Sequence, residues 1–261
     1  KKIGDIENRF IYLANLSNLK TYVFMDHWCG YNERFYSFIN NKRKFIFPRK
    51  IFVSDIKSKI ELSKSINYNK KNIIVSGNPS WDKFKLIKSN KNTKILNNKK
   101  FNKNKKTLLF ISEVISEEKR RIKYDFSELD ILSNIITLYG DKYNILIKQH
   151  PREKNNKYSK FLNDHKNKNI ILLRYELNIY DILYCCNIII GMTSALLVEL
   201  KLFGYNPLSY QPTKFNKPII NFGFGIKKIN SLNKISNYEN SKVIKSKYHF
   251  KALDKILKII I

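Results

Sequence analysis

The chain has 261 residues, 43% of them hydrophobic, enough to bury one large core or two smaller ones. It carries 50 Lys+Arg against 21 Asp+Glu, a formal net charge of +29. None of its apolar runs reaches the about 20 residues that a helical membrane span needs. Its three cysteines, Cys29 and the adjacent Cys185 and Cys186, fit neither a disulfide framework nor a CxxC zinc spacing.

A balance this basic suits nucleic acid or an anionic membrane surface. The excess is almost all Lys, however, accompanied by abundant Asn and Ile and spread through loops instead of along one stripe. That distribution reads as compositional drift in an AT-rich genome, with attraction to acidic headgroups as a by-product. The cysteine usage points to a reducing cytoplasm. The chain opens Lys1-Lys2-Ile3, without Met and without a signal-peptide pattern, so a further N-terminal piece is expected ahead of it.

Apolar residues at helical spacing (Ile6, Phe10, Leu13, Leu16) predict a helix over 5–19. Residues 21–25 and 51–53 read as strands, 56–66 as a helix, and 72–84 as a strand, a Gly77-Asn78-Pro79 turn and a helix start. Residues 88–106 are nearly all Lys and Asn and read as a linker or exposed loop. A second series follows. It has strands at 107–112, 143–151 and 169–174, and helices at 127–140 (closed by Gly140), 156–166 and 179–186. An acidic turn at Glu113–Glu118 leads into a charged segment. Asn187–Ile190 is a strand, Gly191 a turn, and Thr193-Ser194 a helix start. Gly204–Pro207 turns into a strand at 208–210, and 247–261 is a helical tail. Strands alternating with helices predict α/β architecture with parallel sheets. The expected organisation is an N-terminal α/β domain over 1–88, a linker over 89–106, a second α/β domain over 107–245 and a terminal helix over 246–261.

Four constellations can carry chemistry. In the first, a strand, Gly191 and a helix start at Thr193-Ser194 offer N–H groups and hydroxyls to a phosphate, and Glu199 can reach a sugar hydroxyl; the competing reading is an ordinary capped βα turn. The second is Lys148-Gln149-His150-Pro151-Arg152, at the carboxyl end of a strand, where open parallel sheets bind ligands. There a cationic His150 would stabilise a leaving phosphate, unless it is merely a surface His before a turn proline. Ser112 ends a neighbouring strand on the same edge. The third, Ser76 to Asp82, reads mainly as structural, with Trp81 packing. The fourth joins Asp26, His27 and Trp28 to Glu33, Arg34 and Phe35, with Asp26, His27 and Glu33 as candidate bases. The four histidines (His27, His150, His165, His249) form no metal-ligand spacing, and no GxGxxG or Walker A loop is present.

Taken together, these segments resemble the GT-B type of nucleotide-sugar transferases. IFVSD (51–55) and NIIVSGNPSWDKF (72–84) are similar to the end of the N-terminal domain of that group, and TLLFIS, KQHP and GMTSALLVEL to successive pieces of its donor-binding domain. A His-Pro motif followed by a Ser/Thr pair resembles bacterial sialyltransferases and CDP-glycerol glycerophosphotransferases. The non-hydrolysing UDP-N-acetylglucosamine 2-epimerases share the fold, but their acidic Gly-Gly helix start is replaced here by Met192-Thr193-Ser194. The acidic-pair-plus-glycine motif that supplies the base in sialyltransferases is also absent, which leaves Asp26 as the stand-in.

The resemblance implies two Rossmann-like domains facing a cleft, the N-terminal one incomplete. It implies a metal-independent glycosyltransferase with no resident cofactor, acting in the synthesis of capsule, lipopolysaccharide or another surface polysaccharide. A CMP-, CDP- or UDP-linked sugar, or a polyol-phosphate, would pass to a glycan or lipid-linked acceptor. His150 and Asp26 would be catalytic. Lys148, Arg152, Gly191, Thr193, Ser194, Glu199 and Ser112 would hold the nucleotide and its phosphate. The expected location is the cytoplasm, with peripheral contact at the inner, anionic face of the membrane and no specific nucleic acid. The alternatives are a sugar epimerase and a non-catalytic basic module for nucleic acid or membrane.

Overall fold

The computed structural model describes residues 5–28, 30–85, 93–117, 125–212, 223–233, 235–239 and 251–261. Cys29, His249, the end of the acidic turn at Glu118, the opening of the Lys/Asn-rich stretch and the first residues of the tail helix lie outside them. The chain divides into two compact units. One comprises Lys1–Ile87 with Ile220–Gly223 and Tyr248–Ile261, the other Lys88–Ile219 with Phe224–Lys247.

The first unit runs α1 (Asp5–Leu16), β1 (Tyr22–Met25), α2 (Tyr31–Arg34), β2 (Tyr36–Ile39), β3 (Lys42–Phe45), β4 (Lys50–Val53), α3 (Ile56–Ser65) and β5 (Ile73–Val75). Strands β1, β4 and β5 form a parallel sheet in that order. Its apolar core gathers Met25, Phe35, Ile51, Val53, Leu62 and Ile73. Asp55 caps α3 by accepting the Ser58 N–H at 2.8 Å, and it also takes the Trp28 indole N–H at 2.6 Å.

Two features of this unit depart from the sequence pattern. The hairpin β2–β3 was not expected. Its two-residue turn, Asn40-Asn41, has φ of 49° and 58°, the left-handed pair that a tight hairpin turn requires and that Asn tolerates. The stripe that predicts α1 points the other way: Ile6, Phe10, Leu13 and Leu16 are exposed, while Asn8 and Ile11 are buried. Asn8 turns that face inward by donating to the carbonyl of Tyr36 in β2.

The second unit runs β6 (Lys106–Ile111), α4 (Glu128–Tyr139), β7 (Tyr143–Lys148), α5 (Ser159–Asp164), β8 (Ile170–Leu173), β9 (Ile188–Gly191), α6 (Leu196–Leu202), β10 (Leu208–Tyr210) and β11 (Lys227–Ile229). The tail helix α7 (Ala252–Ile260) belongs to the first unit, where Asp82 accepts the N–H groups of Ala252 and Leu253. The six strands form one parallel sheet in the order β11-β10-β9-β6-β7-β8. Strands β6 and β7 are buried on both faces, which explains their unbroken apolar runs. Each large side chain sealed there contributes roughly 1.5–3 kcal/mol of burial.

From Thr93 on, the Lys/Asn-rich stretch is more ordered than its composition predicts. Thr93–Asn97 forms a short 3-10 turn with Ile95 buried. The fully buried Asn144 clamps the following loop, accepting the Asn102 N–H at 2.8 Å and donating to the carbonyls of Asn102 and Lys105. Amide side chains replace missing apolar contacts here, which a count of hydrophobic residues does not register. The helix expected over 179–186 is instead two 3-10 turns, Ile179–Asp181 and Leu183–Cys185. Cys185 and Cys186 are half-buried thiols within it, not sealed core residues.

Candidate donor site at the strand carboxyl edge

From β6 the chain moves outward through β7 and β8, then returns to the other side of β6 with β9 and moves out again through β10 and β11. The reversal falls between β6 and β9, the place where open α/β sheets bind ligands beyond their carboxyl ends. Ser112 and Glu113 follow β6, Gln149 and His150 follow β7, and Met192 to Ser194 follow β9.

Gly191 is the last residue of β9. A Cβ there would stand 3.1 Å from Ile111 Cβ and 3.1 Å from Leu197 Cδ2. Its need is close packing of strand against strand and helix, in place of the sharp turn expected from the sequence. Helix α6 begins at Leu196, later than Thr193-Ser194 suggested. The cause is Glu113, buried after β6, whose carboxylate accepts the Thr193 N–H at 2.6 Å and its hydroxyl at 2.5 Å. Both Thr193 donors are therefore engaged within the protein. Ser194 Oγ accepts the Leu196 N–H at 3.2 Å, which leaves its own O–H as a donor. Glu199 accepts from the Tyr180 hydroxyl at 3.2 Å; burial first, and then the Glu199 charge, hold that phenol well above its usual range.

On the other side of β6, Glu153 organises the His150 turn. One of its oxygens takes the His150 N–H at 2.9 Å. The other takes the Ser112 hydroxyl at 2.5 Å, Lys157 Nζ at 2.6 Å and the Tyr158 hydroxyl at 3.1 Å. Lys157 also donates to the Glu113 carbonyl at 3.0 Å and pairs with buried Glu128, which accepts from Ser116. Burial and the Glu153 charge push the Tyr158 phenol far up. Ser112 thus has its hydroxyl in this internal network, where the sequence placed it against phosphate. Lys148 is buried, and its ammonium donates to the carbonyls of Arg174 and Tyr175 at 3.1 and 2.8 Å. Burial lowers its pKa, with Glu176 opposing. It fastens the end of β8 to β7. Arg152 is exposed beside His150.

Asp26, expected as a base, lies in the first unit and is ion-paired with Arg34 at 2.9 Å. Sequence reasoning missed Glu113, Glu153 and Lys157. Glu153 and Lys157 follow the His-Pro motif by three and seven residues, so a turn into a helix would have brought them together. Nothing local in the sequence pairs Glu113 with Thr193. Among the described residues, no group of three or more His, Cys, Asp or Glu side chains is arranged to hold a metal ion.

A parallel α/β sheet with its reversal point flanked by a His-Pro turn and a Thr-Ser segment defines a GT-B-like protein of the Rossmann type. Solved structures share that fold. One is the Methanocaldococcus jannaschii UDP-GlcNAc 2-epimerase, at 15% identity and TM-score 0.55, covering 97% of this chain and 73% of that one. In its complex with UDP-GlcNAc and UDP, the same enzyme matches at 18% identity and TM-score 0.54, covering 82% of this chain; this chain spans only 61% of that one. Anabaena HepE in complex with UDP and glucose matches at 9% identity and TM-score 0.58, covering 97% and 75%. Comparison with curated proteins gives no match. The family model for alpha-2,8-polysialyltransferase (POLYST) matches residues 10–210, so the chain belongs to that family of glycosyltransferases. The resemblance to sialyltransferases drawn from the His-Pro and Thr-Ser motifs is thereby borne out, and the likeness to epimerases is one of fold alone.

Proposed function

We propose that this chain carries the donor-binding part of a glycosyltransferase that moves a sugar, or a related polyol-phosphate, from a nucleotide donor to a glycan or lipid-linked acceptor in surface-polysaccharide synthesis. One observation carries the reading. Two consecutive residues after β6 tether the two motifs: Ser112 bonds Glu153 of the His150 turn, and Glu113 bonds Thr193. The family match over both motifs supports the same assignment.

In this reading the donor phosphate lies at the strand edge, met by His150, Arg152 and the Ser194 hydroxyl, while Glu199 takes a ribose hydroxyl. The acceptor hydroxyl attacks the sugar carbon and gives its proton to a base. The bond to the nucleotide phosphate breaks, and the charge that develops there is stabilised by donors already in place. Gly191, Thr193, Ser112 and Lys148 act from behind, as the frame of the site. Contact with an anionic membrane fits the basic composition, and a cytoplasmic location fits the cysteine usage.

Calorimetry with CMP, CDP, UDP and GDP tests the donor site. At least one nucleotide is expected to bind, and His150→Ala and Ser194→Ala are each expected to weaken it about tenfold, a loss near 1.4 kcal/mol. Absence of binding by all four, or full affinity in both variants, would overturn the reading.

A further inference from the structure

His150 is held at two points. Its backbone N–H donates to Glu153 Oε2 at 2.9 Å, and its ring Nδ1 accepts the backbone N–H of Arg152 at 3.1 Å. The His150 carbonyl takes the Glu153 N–H at 3.0 Å, which closes a four-residue turn with Pro151 at its second position, where proline's fixed φ is suited. A ring nitrogen that accepts a hydrogen bond carries no proton, so the neutral imidazole carries it on Nε2. Adding a proton at Nδ1 would set that N–H against the N–H of Arg152. Hydrogen bonding to the neutral form disfavours the charged one. The turn therefore selects against the imidazolium that the sequence suggested.

We propose that His150 works as a neutral imidazole presenting its proton on Nε2, and that Glu153 is the positioning residue that fixes this tautomer through the turn. Glu153 can do so because it is itself immobilised. It is buried, and its two oxygens take four donors, from His150, Ser112, Lys157 and Tyr158. Among the described residues, the charges set around the turn include Lys148, Arg152, Lys154 and Lys157 on its own segment, Glu117, which takes the Lys154 N–H at 3.4 Å, Glu128, which pairs with Lys157, and Glu176, whose field reaches Lys148. The inference rests on the donor-site reading only for what the Nε2–H meets, a phosphate oxygen of the leaving nucleotide. As the sugar–oxygen bond breaks, its electron pair stays on that phosphate, and the ring stabilises it by hydrogen bond while keeping its proton.

Protein labelled with 15N-histidine tests this by long-range 1H–15N correlation, with His150→Gln assigning the signal among the four histidines. At about pH 7.5, above the usual histidine range, the wild type is expected to show a protonated Nε2 and a bare Nδ1. Glu153→Gln leaves one acceptor oxygen where four donors converge and turns its NH2 toward the others, so it is expected to weaken the single-tautomer pattern. Glu153→Ala is expected to give the averaged signal of exchanging tautomers and to bind CMP about tenfold more weakly. A wild-type ring protonated at Nδ1, or an imidazolium, overturns the inference. So does a Glu153→Ala protein with unchanged signal and affinity. Should Glu153→Ala fail to fold, Glu153→Gln decides in its place, and an unchanged signal and affinity in that variant overturn the inference. Nucleotide binding with the wrong tautomer would sink this inference alone; the expected tautomer without nucleotide binding would sink only the proposed function.

Discussion

The Lys157 side chain is buried among Glu128, Glu153 and the Glu113 carbonyl, with Glu117 3.9 Å away. Its ammonium offsets carboxylates that have no access to water. Replacing one partner of such a buried pair leaves the others unmatched, which costs about 3–5 kcal/mol. Lys157→Met is expected to lose stability on that scale in urea unfolding, a far larger effect than any exposed lysine variant would show. Tyr68 supplies a residue-scale pH dependence. Burial pushes its phenol up to about 12, and its hydroxyl lies 2.8 Å from the carbonyls of Pro48 and Arg49. The folded pKa exceeds the unfolded one of about 10, so the neutral form favours folding. Its contribution is complete below pH 10 and is lost as pH rises through about 12. Stability followed by circular dichroism should fall less steeply between about pH 10 and 12 in Tyr68→Phe than in the wild type.

At the scale of elements, α4 was the most legible helix, because its start signal is local. The Ser127 side chain accepts the Asp130 N–H, and Asp130 returns the bond to the Ser127 N–H at 2.9 Å. Ser127→Ala is expected to cost about 1 kcal/mol, read as a shift in the urea midpoint at constant slope. The strands of the second unit were legible for a similar reason: continuous burial demands continuous apolar sequence. Elements held by single polar contacts were not. The Asn40-Asn41 hairpin, the loop clamped by Asn144 and the late start of α6 under Glu113 each depend on an amide or carboxylate distant in sequence or on a backbone sign that many residues share. Periodicity has no term for them.

At the scale of the whole molecule, a net charge of +29 remains after every Asp and Glu is set against Lys and Arg. If peripheral membrane contact is part of the function, vesicles containing phosphatidylglycerol should co-sediment with the protein while neutral phosphatidylcholine vesicles do not. Binding should fall steeply as salt rises from about 0.05 to 0.5 M, as the screening length shortens. Equal binding to both vesicle types would remove that part of the proposal. Among the described residues no helix is long and apolar enough to cross a membrane.

The sequence by itself determined the alternation of strands and helices, the parallel sheet and the two motifs at strand ends, because hydrophobic periodicity and glycine, proline and hydroxyl chemistry act within a few residues. Tertiary structure alone decided what those motifs can do. His150 was visible as a histidine before a proline, but its tautomer depends on Arg152 and on Glu153, whose charge is held by Ser112 and Lys157. Thr193 and Ser194 look equivalent along the chain. Only the folded sheet brings Glu113, 80 residues away, against Thr193 and leaves the Ser194 O–H as the donor. Buried hydrogen bonds are satisfied across the sheet, and their partners are set by strand order, which no local pattern encodes.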